Sequence, residues 1–192
     1  MINERGEEIL QPVLRTPRLV LRPFTFDDAS AVHILAGAAE VADTTLHIPH
    51  PYPAEAAEQW IVTHEIAWED GMGATYAVTD AGTDTLAGAV TLVIAPQHSR
   101  AELGYWIGVP FWNRGYCTEA SRAVVDLAFR TLGLHRVEAR HLTRNPASGR
   151  VMQKLGMTME GINRDVMRKN DRFEDLAVYG ILAAEWTGEP AA

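Results

Sequence analysis

The sequence predicts a single mixed α/β domain, a sheet with helices on its faces, and three observations carry that prediction. Near Ala74 the hydrophobic period shifts from the helical 3.6 to about 2 and stays there through three successive runs. A long amphipathic run, EASRAVVDLAFRTLG, then separates the strand-like AELGYWIGV from the strand-like HRVEARHL, which makes a parallel crossover. A chain of 192 residues also falls within the size of one domain and can bury a core without disulfides or metal.

The elements follow in order. MINERGEEIL has no apolar signal core, so export is not expected. RTPRLVLRPF alternates around Leu19, Leu21 and Phe24 as a strand, and Thr25 or Asp27 then caps a helix. IPHPYP, residues 48–53, is an irregular and partly rigid loop because its prolines fix the backbone; such loops either line binding sites or merely connect. AEAAEQWIVTHEIAWEDG spaces Ala57, Trp60, Ile61, His64 and Trp68 on a helix that ends at Gly71, with both tryptophans as core. ATYAVTD, LAGAVTLVIA and AELGYWIGV, joined by turns at AGTDT and PQHSR, read as an antiparallel meander. Ala120, Ala123, Val124, Leu127, Ala128 and Thr131 share one face of the next helix, which stops at Gly133. HRVEARHL is a strand, NPASGRVMQKLG a short helix bounded by Asn145, Pro146 and Gly156, and two strands flank KNDRFED. The core is expected over about residues 15–186 of a single 1–192 domain, with loose termini including TGEPAA. The order is strand, two helices, three strands, helix, strand, helix, two strands, or about seven strands in a mostly antiparallel mixed sheet.

Composition narrows the function. No apolar run approaches the roughly 20 residues needed to cross a bilayer, so no membrane partner is expected. Net charge is −8, which argues against a broad nucleic-acid surface and mildly favours cationic partners such as amines. The single cysteine, Cys117, excludes an internal disulfide and a cysteine-based zinc site and fits a reducing cytoplasm. His47 and His50 stand at i, i+3 in HIPH, but their loop supplies no third ligand; no metal is expected, and contact with substrate is the alternative role.

PFWNRGYCTEA lies at the carboxyl end of its strand, where ligands of such sheets tend to sit. Gly115 is either a plain helix entry or the point at which backbone amides approach a phosphate, with Arg114 adding charge and Thr118 a hydroxyl that also serves as a cap. The motifs GxxxxGK[ST] and GxGxxG are absent, which speaks against an unrelated nucleotide-binding domain.

Four segments, RTPRLVLRPF, AELGYWIGVPFWNRGYCTEA, NPASGRVMQKLGM and DRFEDLAVYGILAAEW, resemble in order and spacing the GNAT acetyltransferases. The likeness covers about Arg15 to Trp186 and is nearest to the RimJ/RimL-type branch, which acts on N-termini of ribosomal proteins and, in many relatives, on small amines. The resemblance implies a sheet with a splayed central strand pair and acetyl-CoA as cosubstrate. It implies that Arg114, Gly115, Tyr116, Cys117 and Thr118 hold the pyrophosphate through backbone amides. Trp106, Ile107 and Val109 are then the backbone partners of pantetheine. Trp112 is typical of this branch, whereas Cys117 is larger than the usual Gly or Ala.

The implied reaction is direct attack by a primary amine on the thioester in a ternary complex. It needs a base, because an amine with a pKa of about 8 to 10 is mostly protonated at neutral pH. Glu102 is the candidate base, on the strand that would carry pantetheine, or else an outward-facing strand residue, since alternation in AELGYWI leaves its face undetermined. Asn145 and Ser148 form the N-x-x-S pattern that contacts the pantetheine arm in the family; each also serves as ordinary helix-end capping. Ser148 is the candidate proton donor to the departing thiolate, with Tyr179 or water as alternatives. Cys117 reads as a packing residue rather than an acyl carrier, because no histidine lies beside it in sequence. The acceptor is an amine, either a protein N-terminus or a small molecule: a closed pocket around His47, Pro49 and Tyr52 would indicate the latter, an open groove a peptide. A catalytically silent acyl-CoA-binding regulatory module is the alternative, and a homodimer remains an open expectation.

Overall fold

The structure, a computed structural model, describes residues 10–188, so the termini expected to be loose lie largely outside the described residues. The strands are β1 (Leu14–Arg15), β2 (Leu19–Arg22), β3 (Gly73–Asp80), β4 (Leu86–Ala95), β5 (Arg100–Ile107), β6 (Arg136–Leu142), β7 (Thr158–Lys169) and β8 (Arg172–Leu182). The helices are α1 (Ala29–Ala36), α2 (Ala39–Thr44), α3 (Ala56–Glu69), α4 (Tyr116–Arg130) and α5 (Pro146–Lys154). One eight-stranded sheet has the order β1-β2-β3-β4-β5-β6-β8-β7. The strand beyond the expected seven is β1, a two-residue piece too short to show a period.

The expected meander is present: β3, β4 and β5 pair antiparallel in sequence. β3 is buried along nearly its whole length, as a central strand covered on both faces must be. Helix α4 buries Ala120, Val124, Leu127 and Ala128, spaced i, i+4, i+7 and i+8, against one face of the sheet, where Met152 and Leu155 of the α5 region join the same core. Val32 and Ala36 of α1 pack with Ala57 and Ile61 of α3 in a second core on the opposite face.

Three helices precede β3 where two were expected. Ala38 adopts an extended ψ of 134°, which divides α1 from α2. At the entry to α1, Asp28 rather than Asp27 does the organising. Its carboxylate accepts the Thr25 N–H at 2.9 Å and both terminal nitrogens of Arg22 at 2.8 Å.

The feature that positions a site lies in the middle of the sheet. β5 and β6 run parallel but pair over only three rungs, Arg100 with Arg136, Ala101 with Val137 and Glu102 with Glu138. Beyond Glu102 each strand remains paired to its outer neighbour, β5 to β4 and β6 to β8, but not to the other. The sheet therefore opens at its centre, with Glu102 at the root of the opening.

Candidate active site

The loop after β5 leads one mouth of this opening into α4. Gly115 is the N-cap of α4 at φ 78°, a left-handed conformation that favours glycine, so α4 begins at Tyr116. The helix thus starts three residues before the predicted run, and Thr118 lies in its first turn rather than capping it. The first intrahelical bond is Glu119 N–H to Gly115 O at 3.1 Å, which leaves the amides of Tyr116, Cys117 and Thr118 without a helical acceptor. Their partial positive charge adds to the field at the helix start. Arg114 sits over the Phe111 ring, 5.5 Å from its centre, at the same turn.

The helix start is fixed from outside by residues that the sequence pattern does not single out. Arg18 donates from Nε to Glu119 Oε2 at 2.7 Å and from Nη1 to the Arg114 carbonyl at 2.9 Å. Thr16 Oγ1 and the Arg18 amide bond the other Glu119 oxygen at 2.6 and 3.0 Å. Burial works to raise the Glu119 pKa, but these donors outweigh it and hold the carboxyl below its ordinary range. Tyr116 donates to Asp80 Oδ2 at 2.5 Å, tying α4 to the β3–β4 turn. An added Cβ on Gly115 would stand 3.3 Å from Arg18 Nη2, so the approach to the loop is close as well as left-handed. The signal for Arg18 was its place in RTPR beside the strand; nothing local pointed to Glu119.

Register decides which part of β5 faces the opening. Gly108 N–H donates to Ala87 O, and the β4–β5 pairing continues without a shift. In an antiparallel pair the hydrogen-bonded rungs alternate, so the backbone groups of Trp106, Gly104 and Glu102 face β4. Those of Leu103, Tyr105 and Ile107 face the gap. This corrects the backbone role expected of Trp106, whose groups belong to the ladder. Its indole lies on the α1–α3 face, 6.4 Å from the Trp60 ring. Ile107 does face the gap, although its carbonyl accepts the Trp112 indole N–H at 2.6 Å. Val109 falls in the short helical turn Val109–Phe111 after the strand.

Across the gap, Asn145 caps α5 as predicted, its Oδ1 accepting Ser148 N–H at 3.3 Å while its amide donates to Thr44 O at 3.1 Å. The Tyr105 hydroxyl lies 2.9 Å from Ser148 Oγ and bridges β5 to α5. Tyr179 is buried on β8, with Gln153 Nε2 at 3.5 Å from its hydroxyl. Burial pushes the Cys117 thiol up to about 12 against the pull of Ser121, so it stays a neutral packing group near pH 7.

Glu102 points to the face opposite α4, since its neighbours Ala101 and Leu103 enter the α4 core. It is paired with Arg140, two residues past the last β5–β6 rung. The two line an open depression of about 140 Å³ together with Val93, Arg100 and Glu138. Arg100 pairs with Glu138 at 3.1 Å, so the charges there are balanced. Around the predicted loop, His47 and Pro49 are exposed, Tyr52 meets the His33 ring at 5.7 Å, and His50 Nδ1 lies 3.1 Å from Gly37 O. No group of three metal-ligating side chains comes together among the described residues, and none of their helices is long and apolar enough to cross a membrane.

Residues 18–158 match the family described as Acetyltransferase (GNAT) domain. The uncharacterized N-acetyltransferase YoaA of Bacillus subtilis (strain 168) is 33% identical over 172 residues, covering 89% of this chain and 97% of its own. The ribosomal protein uS5-alanine N-acetyltransferase of Escherichia coli (strain K12) is 29% identical over 85 residues, 44% of each chain. A crystal structure of a GNAT-family acetyltransferase from Bacillus anthracis superposes with a TM-score of 0.81 at 25% identity, covering 91% of this chain and all of that one. The divided sheet and the left-handed entry into α4 agree with these likenesses, and the chain belongs to the GNAT acetyltransferases as an acetyl-CoA-dependent N-acetyltransferase.

Proposed function

We propose that this enzyme acetylates the α-amino group of a peptide at the root of the β5–β6 opening. The observation that carries the reading is the parting of the two strands directly after Glu102, in a gap that leads past the end of β5 to a helix start whose amides have no helical acceptor. Acetyl-CoA supplies the acyl group when bound. The amides of Tyr116, Cys117 and Thr118, approached over Gly115 and flanked by Arg114, are suited to its pyrophosphate. The gap-facing backbone of Leu103, Tyr105 and Ile107 is suited to pantetheine, with Asn145 and Ser148 on the opposite arm. Glu102 accepts the proton of the incoming ammonium directly or through water, and Ser148 donates toward the sulfur. The depression beside Glu102 is open, and its carboxylates are matched by Arg100 and Arg140. An open, charge-balanced surface suits a peptide end better than a polyamine, which needs an excess of negative charge.

The first test is the unfolding midpoint of the protein with acetyl-CoA, CoA or ATP at equal concentration. A ligand at about 100 times its Kd stabilises by roughly 2.7 kcal/mol, a shift of several degrees for a chain of this size. Stabilisation by acetyl-CoA and CoA but not by ATP is expected. An equal response to all three, or to none, would reject the assignment of the α4 entry and the gap to this cosubstrate.

A further inference from the structure

The entry to α4 holds two opposed electrostatic demands. The free amides of Tyr116, Cys117 and Thr118 suit an anion, yet Glu119 follows them in the first turn of the same helix. A carboxylate there steadies the helix but repels an anionic ligand drawn to the same field. Protonation does not relieve the conflict, because the donors around Glu119 keep it ionised at neutral pH. A cation from another element does. Arg18, the residue before β2, places Nη2 and Nε at 2.6 and 2.7 Å from Glu119 Oε2. The same Nη2 stands 3.3 Å from where a Gly115 Cβ would lie, so one nitrogen is in reach of both the carboxylate and the loop. The Glu119 side chain is 17% exposed and the Arg18 side chain 50%, so water screens the carboxylate poorly and the guanidinium is its main counter-charge. Arg114, the other cation at this turn, lies over the Phe111 ring. Asp80, the other carboxylate joined to the helix start, sits at the hydroxyl end of Tyr116.

We propose that Arg18 is a positioning residue that acts through charge: it cancels Glu119, so that the α4 entry presents the free amides and Arg114 to the pyrophosphate of acetyl-CoA. The proposal rests on the reading of that entry as the pyrophosphate site. It assigns Arg18 no contact with phosphate. Arg18 also donates from Nη1 to the Arg114 carbonyl at 2.9 Å, a bond that shapes the loop whatever the charge of Glu119. The experiment must therefore separate charge from shape.

A double-mutant cycle on CoA binding does so without an acceptor. Calorimetric titration gives the CoA affinity of the wild type, Arg18→Gln, Glu119→Gln and the double variant, with the unfolding midpoint of each taken in the absence of ligand. Arg18→Gln should weaken CoA by about tenfold, the scale of one unbalanced charge near a protein surface. Glu119→Gln should bind CoA as well as the wild type or up to about threefold better, and the double variant should return to within about threefold of the wild type. A double variant as weak as Arg18→Gln would overturn the proposal, because the shape of the loop would then set the affinity. Wild-type affinity in Arg18→Gln would overturn it too, as would a tenfold loss in Glu119→Gln, since removing the anion should not weaken an anionic ligand. Arg18→Gln leaves a largely buried carboxylate without its cation. If that variant does not fold, the double variant, which has no such charge, still decides by the same threefold and tenfold outcomes. Failure of CoA to bind even the wild type would instead reject the reading of the α4 entry as the pyrophosphate site.

Discussion

His64 carries two buried polar atoms that no partner satisfies. It is 8% exposed, its Nδ1 and Nε2 have no hydrogen bond, and its ring sits 4.4 Å from that of Trp60 and 5.4 Å from that of Phe24. Burial in this aromatic setting pushes its pKa down to about 4, so the folded protein holds it neutral. The unfolded chain protonates it near 6.5, so above that pH the group has no effect on the pH dependence of stability. As pH falls from 6.5 toward 4 the unfolded state gains a proton that the folded state refuses, and stability drops. Between pH 7 and 5 the loss amounts to about 2 kcal/mol. Urea unfolding at the two pH values should show His64→Phe removing most of that difference, and an unchanged difference would mean that the ring is solvated in the fold. Glu102 is a residue of the opposite kind, partly exposed and paired, whose expected role lies in turnover. Glu102→Gln should lower kcat by at least about 100-fold while the acetyl-CoA affinity stays within about twofold. Thiol release with an accepted peptide and calorimetric titration of acetyl-CoA measure the two quantities. Unchanged kcat would remove Glu102 as the base.

At the scale of elements, the seating of α5 shows what sequence pattern conveys and what it leaves out. Asn145, Pro146 and Gly156 mark the ends of this helix by residue type alone, and the cap is where they place it. They say nothing of the neighbour beneath it. Gly149 rests on the His141 ring of β6, where an added Cβ would stand 2.8 Å from Nε2. Alanine is ordinarily better than glycine inside a helix by up to about 1 kcal/mol, but here the sign should reverse. Gly149→Ala is expected to destabilise by about 1 to 3 kcal/mol through overpacking. In a His141→Ala background most of that cost should vanish, which a double-mutant cycle of denaturant melts reads directly. The central opening is hidden from the residue pattern for a related reason. Alternation in AELGYWI gives two faces without saying which way either points, and only the Gly108 to Ala87 rung fixes the register that turns Tyr105 to the gap. The early start of α4 is hidden because Tyr116, Cys117 and Thr118 are weak helix formers, and the left-handed Gly115 that admits them is a matter of conformation. The splay itself and the pyrophosphate loop come from likeness to a family, which carries information about pairing that periodicity lacks.

At the scale of the whole molecule, a sheet that opens at its centre needs something to join its arms, and the chain supplies ties at more than one level. The longest-range of them run from α2 and the proline-rich loop, on the β4 side, to the β6–α5 and β7–β8 turns. Arg144 donates from Nη1 and Nη2 to the carboxylate and carbonyl of Asp43, each at 2.8 Å, and from Nε to Glu174 at 2.9 Å. Asn145 reaches Thr44 O, and Lys169 Nζ donates to Ile48 O at 3.3 Å. Burial lowers the Lys169 pKa, as expected of an ammonium drawn under a loop. The Arg144 pairs are exposed enough that each is worth at most about 1 kcal/mol, so their loss should leave the two cores standing. What it should change is local opening of the segment they hold, residues 39–52. Arg144→Ala is therefore expected to speed amide exchange in that segment by about tenfold while β3 and β4 exchange as before. Acetyl-CoA affinity should stay unchanged, because the α4 entry is fixed separately by Arg18, Glu119 and Asp80. Faster exchange spread evenly over the sheet would mean that Arg144 supports the fold as a whole. Faster exchange confined to 39–52 would make α2 and its loop a cover hinged on one arm and latched to the other.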